Sequence, residues 1–342
     1  MTPAHLRLTA TLIAFFAVMA PANAAQTPAS HRGFDLKRPE IRAFVDQVVE
    51  HKVMSRPEVL ALLAQAKPLP AIIEAMDRPA ERVLPWWQYR ERFLTEKRIT
   101  AGVAFWDEHR VKLERVAAER GVPAEYLIAI IGVETAYGSI MGRYRVLDSL
   151  STLSFDYPAR GDYFRKELEQ FLMMVRDKDA DALGARGSYA GAMGAGQFMP
   201  SSYRRYAIDA DADGRRDLWG EWDDVLHSVA NYFVEHGWRS GEPVLVEAGG
   251  SSGADDPLAF RLALSDTVGA IRQRGYLLDA SLADAIPAVL IPAEQADSMA
   301  WRVGFQNFYV ITRYNRSTRY AMAVHDLAQA LVLRLQSREP ST

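Results

Sequence analysis

Residues 124–138, Ala-Glu-Tyr-Leu-Ile-Ala-Ile-Ile-Gly-Val-Glu-Thr-Ala-Tyr-Gly, constrain the fold more than any other stretch of this chain. Leu127, Ile130 and Ile131 stand seven, four and three positions before Glu134, so all four share one face of a helix over Ala124–Ala136. Such a face is expected to be buried. It carries Glu134 either to a place where water is scarce or to the lip of a cleft. Burial raises a carboxyl pKa, and the negative end of the helix dipole acts in the same direction. A carboxylic acid kept protonated near neutral pH is what general-acid cleavage of a glycosidic bond requires. The plainer alternative is a structural ion pair beside the core.

A second stretch, Gly187-Ser-Tyr-Ala-Gly-Ala-Met-Gly-Ala-Gly-Gln-Phe-Met-Pro200, is rich in glycine but is not a phosphate loop, since it has no Gly-Lys-Ser/Thr and no preceding strand. Its glycines allow backbone to approach closely, against another helix or against a ligand. Ser188 and Gln197 then offer hydroxyl and amide groups suited to sugar hydroxyl and acetamido groups.

Composition narrows the chemistry. The 342 residues include no cysteine, which excludes a thiol nucleophile, cysteine-ligated zinc, an iron–sulfur cluster and a lipid on an N-terminal cysteine. With 49% hydrophobic and 24% charged residues the chain is globular in composition, long enough for one large core or two to three domains. Forty basic against 43 acidic residues leave a net charge of −3, so the balance calls for neither nucleic acid nor an anionic membrane. Near the N-terminus, Arg7 precedes an apolar run, Leu12–Ala20, too short to span a bilayer, which needs about 20 such residues. Ala22-Asn23-Ala24 follows as a cleavage site. Residues 1–24 read as a signal peptide, giving an exported protein without a membrane anchor.

Along the rest of the chain, Glu40–Ala66 reads as two short helices and is followed by a stretch punctuated by Pro68, Pro70, Pro79 and Pro85. Trp87–Ala118 has a long helical pattern, Gly121-Val-Pro123 interrupts it, and helical periodicity returns over Phe164–Arg176, Ser228–Glu235 and Tyr320–Leu335. Beyond Gly241, short segments rich in β-formers appear: Val244–Ala248, Phe260–Leu264, Ala288–Ile291, Trp301–Phe305 and Phe308–Thr312. Gly249–Gly253 reads as a loop. The expected architecture is mostly α with a small β-containing insert, and the last helix returns to the helical body.

Gly132-Val-Glu134-Thr-Ala-Tyr-Gly138, the segment Gly187–Gly194, Gly196-Gln-Phe-Met-Pro-Ser-Ser202 and Thr312-Arg-Tyr-Asn315 together resemble the type B lytic transglycosylases of bacterial murein turnover. Trp87-Gln-Tyr-Arg90, Arg98–Trp106, Leu153–Pro158 and Ser228–Phe233 extend the match in the family's order over about residues 40–335. The resemblance implies a mainly α (α+β) fold. A helical domain (35–120) would precede a goose-lysozyme-like catalytic core (121–241), a small α/β domain (242–312) and a C-terminal helix (313–336). It also implies a periplasmic enzyme acting on peptidoglycan glycan strands, with Glu134 as sole acid/base and a 1,6-anhydro product. Partners in cell-wall synthesis or hydrolysis are not legible.

At the catalytic subsites the resemblance puts Ser188, Gln197, Tyr89, Tyr163, Tyr232, Tyr314, Asn315 and Tyr320. Tyrosines suit sugars, whose C–H face packs on the ring while the phenol bonds hydroxyls. The family commonly has paired arginines after Tyr-Pro, and Pro158-Ala159-Arg160 keeps only the second. Arg160 can still meet a lactyl or peptide carboxylate. The residues alone leave a hydrolytic muramidase open, with Asp156 or Asp162 as the second carboxylate, and also a non-catalytic murein-binding scaffold.

Asp209-Ala-Asp211-Ala-Asp213-Gly214-Arg215 reads as an EF-hand-like loop, with Arg215 offering its backbone carbonyl and the oxygen ligands suiting a structural Ca²⁺. Gly220 replaces the usual bidentate glutamate. In the family's longer loop Asp224 completes the shell, with Asp223 the alternative. An acidic turn without metal is the competing reading.

Overall fold

A computed structural model describes residues 33–77, 84–250, 255–257 and 260–338. The expected signal peptide 1–24, Pro79 and residues 251–253 of the glycine-serine loop lie outside these described residues.

Thirteen helices carry most of the described chain. α1 (Pro39–Glu50) buries Ile41, Phe44, Val45 and Val48, the spacing of one helical face, and α2 (Arg56–Gln65) opens with the Glu58 carboxylate accepting from the Ser55 N–H at 2.8 Å. The proline-punctuated stretch contributes α3 (Pro70–Asp77). The long pattern expected over 87–118 divides into α4 (Trp86–Glu91) and α5 (Glu96–Arg120), because Thr95 caps a fresh start by accepting from the Arg98 N–H at 3.2 Å. Gly121, at φ 67°, then ends α5 in the left-handed region.

Two helices lie at the centre. α6 (Ala124–Thr135) buries every residue except Glu125 and Glu134. α7 (Val146–Phe155), which carries no helical signal strong enough to single it out, is buried along its entire length despite Asp148, Ser149, Ser151, Thr152 and Ser154. Part of that polarity has partners: Asp148 accepts from the Lys67 N–H and from Arg145, and Thr152 accepts from the Leu69 N–H. α8 (Gly161–Arg176) covers α7, and α9 (Pro200–Tyr206) and α10 (Trp222–Glu235) follow. The short strands β1 (Tyr144–Arg145) and β2 (Arg186–Gly187) pair beside α7.

The β-containing insert is a four-stranded antiparallel sheet of order β3-β6-β5-β4, built from β3 (Leu245–Ala248), β4 (Asp266–Thr267), β5 (Pro287–Glu294) and β6 (Met299–Gly304). β5 alternates between two cores. Ala288 and Leu290 join Trp301, Val303, Phe305 and residues of α11 (Val268–Gln273), while Val289, Ile291 and Ala293 face the main helical core. Two expected strands are otherwise. Phe260–Leu264 has no strand pairing. Phe308–Thr312 lies within α12 (Gln306–Tyr314), where Phe308, Ile311 and Tyr314 are buried at helical spacing; tertiary packing overrides the β-branched composition. The boundary expected at 312 therefore falls inside a helix.

α13 (Thr318–Gln336) returns to α4, α5 and α6. It also docks the sheet. Asp326 accepts from Arg302 of β6 at 2.8 Å and from Arg90 of α4 at 2.7 Å, and Glu294 of β5 takes both the Trp86 N–H and Arg319.

Candidate active site

Glu134 is the penultimate residue of α6, and the chain leaves that helix through three consecutive left-handed residues, Ala136 (φ 47°), Tyr137 (φ 61°) and Gly138 (φ 79°). Left-handed backbone costs a non-glycine residue about 1 kcal/mol or more, so this exit must be held in place. Ala136 and Tyr137 donate their N–H groups back to Gly132 and Ile131. The Thr135 hydroxyl lies 2.9 Å from the Ala195 carbonyl and accepts from the Gly138 N–H. The Tyr137 side chain lies so close over Gly132 and Gly102 that an added Cβ would come within 2.6 Å of its ring at Gly132 and 2.4 Å of its hydroxyl at Gly102. These contacts fix the direction in which Glu134 leaves the helix.

Glu134 is half-buried, and its Oε1 accepts from the Tyr320 hydroxyl at 2.6 Å. Burial, then the nearby Glu134 charge, pushes the Tyr320 phenol well above its ordinary pKa, so it remains a donor. Tyr314 is raised by the same two causes and donates to the Gly196 carbonyl at 2.7 Å. Tyr89 stands within electrostatic reach of Tyr320 and packs on Phe93 at 5.2 Å between ring centres. Tyr232 is one layer further out, 4.7 Å from Tyr314, and its hydroxyl donates to the Arg313 carbonyl. The phenols of Tyr232 and Tyr314 thus bond to backbone and build a wall.

The glycine-rich segment meets protein backbone. A Cβ on Gly187 would lie 2.2 Å from the Ala192 carbonyl, and one on Gly194 would lie 2.3 Å from that of Leu218. Within this frame Gln197, itself left-handed at φ 51°, donates from Nε2 to the Gly194 and Met141 carbonyls. The Ser188 hydroxyl accepts from the Ala192 N–H at 3.0 Å, leaving its proton to donate. Asn315 is buried, and its Nδ2 has no partner among the described residues.

Arg160 and Tyr163 sit at the start of α8, the guanidinium 4.7 Å above the tyrosine ring. Tyr163 is linked to α9, which follows the glycine-rich segment, through Glu167, a residue sequence reasoning did not single out. Glu167 is buried, bonds the Tyr163 hydroxyl, and accepts from both the Ser201 N–H and hydroxyl. Its i, i+4 spacing from Tyr163 was the one available signal. Of the two possible second carboxylates, Asp156 binds Arg38 at 2.6 Å, while Asp162 is exposed and pairs with Arg165.

In the 209–224 loop, carboxylate oxygens of Asp209, Asp211 and Asp213 lie within 4.8 Å of one another. Gly214 makes the turn at φ 89°, its N–H bonded to Asp209 Oδ2, whereas Asp209 Oδ1 is buried without a partner among the described residues. Three converging carboxylates and an orphaned oxygen fit a hard divalent cation. Arg215 holds its place with its N–H on Asp213. Asp224 is outside that trio: it is buried and accepts the Ala210 and Asp217 N–H groups at 2.7 Å each, lacing the loop's two ends. Asp223 is taken up by Lys112 and Arg115 of α5.

A half-buried acid at the end of a central helix, enclosed by tyrosines, defines a glycosidase-like site, and the family comparison agrees. The transglycosylase SLT domain family matches residues 37–329, and the chain belongs to that family of enzymes. It is 41% identical over 305 residues, 86% of this chain and 83% of the relative, to membrane-bound lytic murein transglycosylase B of Escherichia coli K12. Among solved structures, Escherichia coli lytic transglycosylase Slt35 in complex with calcium matches with a TM-score of 0.80 and 40% identity, covering 89% of this chain and 96% of that one. SltB3 of Pseudomonas aeruginosa in complex with NAG-anhNAM-pentapeptide matches with a TM-score of 0.75 and 32% identity, covering 85% and 78%. The fold is that of the lysozyme-like lytic transglycosylases.

Proposed function

We propose that this enzyme cleaves the β-1,4 bond between MurNAc and GlcNAc in peptidoglycan without water, leaving a 1,6-anhydroMurNAc end, in cell-wall turnover. The observation that carries the reading is one half-buried carboxyl group, Glu134, bound to the Tyr320 phenol. The aspartates that could have held a water for attack are engaged with Arg38 and Arg165. This disfavours a hydrolase, which needs a second carboxylate or an ordered water. Membership in the transglycosylase family speaks against a non-catalytic scaffold.

Because Tyr320 donates to Oε1, the acidic proton belongs on Oε2 of Glu134. That proton passes to the glycosidic oxygen as the C1–O bond breaks. The carboxylate then takes the proton of the C6 hydroxyl on the same MurNAc, O6 bonds to C1, and Glu134 is reprotonated for the next turn. The nucleophile is intramolecular, so no second carboxylate is required. Ser188 donates to the acetamido group near the cleavage point, Gln197 and Asn315 bind neighbouring polar groups, and Tyr89, Tyr163, Tyr232, Tyr314 and Tyr320 with Arg160 line the glycan's path.

Calcium is the ion assigned to the loop, held by Asp209, Asp211, Asp213 and the Arg215 carbonyl. Asp224 contributes through lone pairs left over from its two N–H bonds. It clips the loop and takes no part in the chemistry. Among the described residues no single helix is long and apolar enough to cross a membrane. We assign the enzyme to the periplasm after removal of residues 1–24; intact mass of the exported protein checks this, and a mass retaining those residues rejects it.

The function itself is tested by mass spectrometry of products from murein sacculi. Wild-type protein should release muropeptides about one water lighter than hydrolytic ones, and Glu134→Gln should release none. Products at the hydrated mass would reassign the enzyme as a muramidase.

A further inference from the structure

Beside Glu134 stands a buried hydroxyl that takes no part in the proposed chemistry. Thr135 is the last residue of α6 and is 1% exposed. Its Oγ1 accepts from the Gly138 N–H at 3.0 Å and lies 2.9 Å from the Ala195 carbonyl and 3.1 Å from that of Ile131. A threonine in a helix ordinarily turns its hydroxyl back on the carbonyl four residues earlier, here Ile131. That carbonyl already receives the Tyr137 N–H. Ala195 is fully buried, and a buried carbonyl left unpaired is costly, so the single Thr135 proton goes to the nearer Ala195 oxygen.

Ala195 is itself held from two other elements. Its N–H donates at 2.8 Å to the carbonyl of Leu218, in the 209–224 loop, and the next carbonyl, Gly196, accepts from the Tyr314 hydroxyl of α12 at 2.7 Å. The same segment is braced within: Met193 and Phe198 exchange N–H bonds at 2.9 Å, and the Ser188 N–H reaches the Ala192 carbonyl at 2.8 Å. Ser188, Ala195 and Gln197 therefore move as one unit. Glu134 belongs to another, the end of α6, whose left-handed exit is disfavoured by local propensity. The Thr135 hydroxyl bonds to both units at the position next to the acid.

We propose that Thr135 is a positioning residue: through Ala195 its hydroxyl sets the place of the Glu134 carboxyl relative to Ser188 and Gln197, and so to the sugar they hold. This rests on the reading of Glu134 as the acid and of Ser188 and Gln197 as glycan-binding groups. Thr135 touches neither substrate nor reacting atoms; it removes play between the proton donor and the glycosidic oxygen. Proton transfer requires hydrogen-bond reach, and a misplacement of about 1 Å costs on the order of a hundredfold in rate. Losing the hydroxyl therefore falls on the chemical step, while the groups that bind the glycan in its ground state remain.

The test measures kcat and KM on soluble murein glycan strands for wild type, Thr135→Val and Thr135→Ser, each well below its own Tm. Valine keeps the branched shape without the hydroxyl, whereas serine keeps the hydroxyl and loses a methyl group. The valine variant should lose roughly 10- to 100-fold in kcat with KM within about threefold of wild type, and serine should restore kcat to within about threefold. A threonine that only held the fold together would lower Tm and leave the kcat of the folded enzyme unchanged. Wild-type kcat in the valine variant therefore overturns the proposal, as does a loss confined to KM or one that serine does not restore. If the valine variant does not fold, Thr135→Ala takes its place against serine with the same expected outcomes. Each of these results leaves the transglycosylase reading intact. Wild-type protein that cleaves no strand, or a Glu134→Gln variant that still does, overturns that reading and the role of Thr135 with it.

Discussion

Glu134 and Tyr320 are 186 positions apart in sequence, yet their oxygens stand 2.6 Å apart. Because burial keeps the Tyr320 phenol protonated across the physiological range, it acts as a fixed donor that orients the Glu134 carboxyl group. Tyr320→Phe keeps the ring and removes this bond. A hydrogen bond to a charged group contributes about 1.5–3 kcal/mol, so kcat on sacculi should fall roughly 10- to 100-fold with little change in thermal stability. Muropeptide release quantified by chromatography checks this; a wild-type rate in the phenylalanine variant would deny Tyr320 its orienting role.

At the scale of elements, the 209–224 loop is held from both ends by Asp224, but its three aspartates converge with no cation of the protein's own between them. Their mutual repulsion works against the turn unless a divalent ion neutralises it. Calcium bound to the folded state alone stabilises by mass action, by about 2.7 kcal/mol at a hundredfold excess over Kd. Chelation with EGTA should lower Tm by about 5 °C, and added calcium should restore it. An unchanged Tm would leave the loop an acidic turn. The exit from α6 follows the same logic, since Gly132, Gly102 and Thr135 hold three left-handed residues that local propensity disfavours.

For the whole molecule, α13 ties the sheet, α4 and α6 together, and its His325 meets the Tyr126 hydroxyl of α6 at 2.9 Å. Burial lowers the His325 pKa to about 4, while Asp326 opposes and Arg302 reinforces the shift. Its folded value lies below the ordinary 6.5, so the neutral ring is the one the fold accommodates. The unfolded chain takes up the proton first as pH falls. Stability is therefore whole above about 6.5 and declines between 6.5 and 4, by about 3 kcal/mol in all. His109 and His236 are lowered by burial too and act in the same direction. Urea denaturation from pH 7 to 4 should show the decline, and His325→Gln should flatten it. A variant that tracks wild type would assign the acid loss to other groups.

The sequence determined what short-range chemistry can carry. It supplied the apolar face leading to Glu134, the turn glycine and spaced aspartates of the 209–224 loop, the proline and glycine stops, and motifs specific enough to point to the family. Tertiary structure decided the rest, for identifiable reasons. α7 is a helix because enclosure by neighbours satisfies its Asp148 and Thr152, which no local pattern reveals. Phe308–Thr312 is helical because its apolar residues meet the core at helical and not alternating spacing. Which phenols are taken up by backbone carbonyls, as at Tyr232 and Tyr314, and which one meets Glu134 are contacts across long sequence separations. Those depend on how helices pack, and the energy of packing belongs to pairs of residues that the linear order keeps apart.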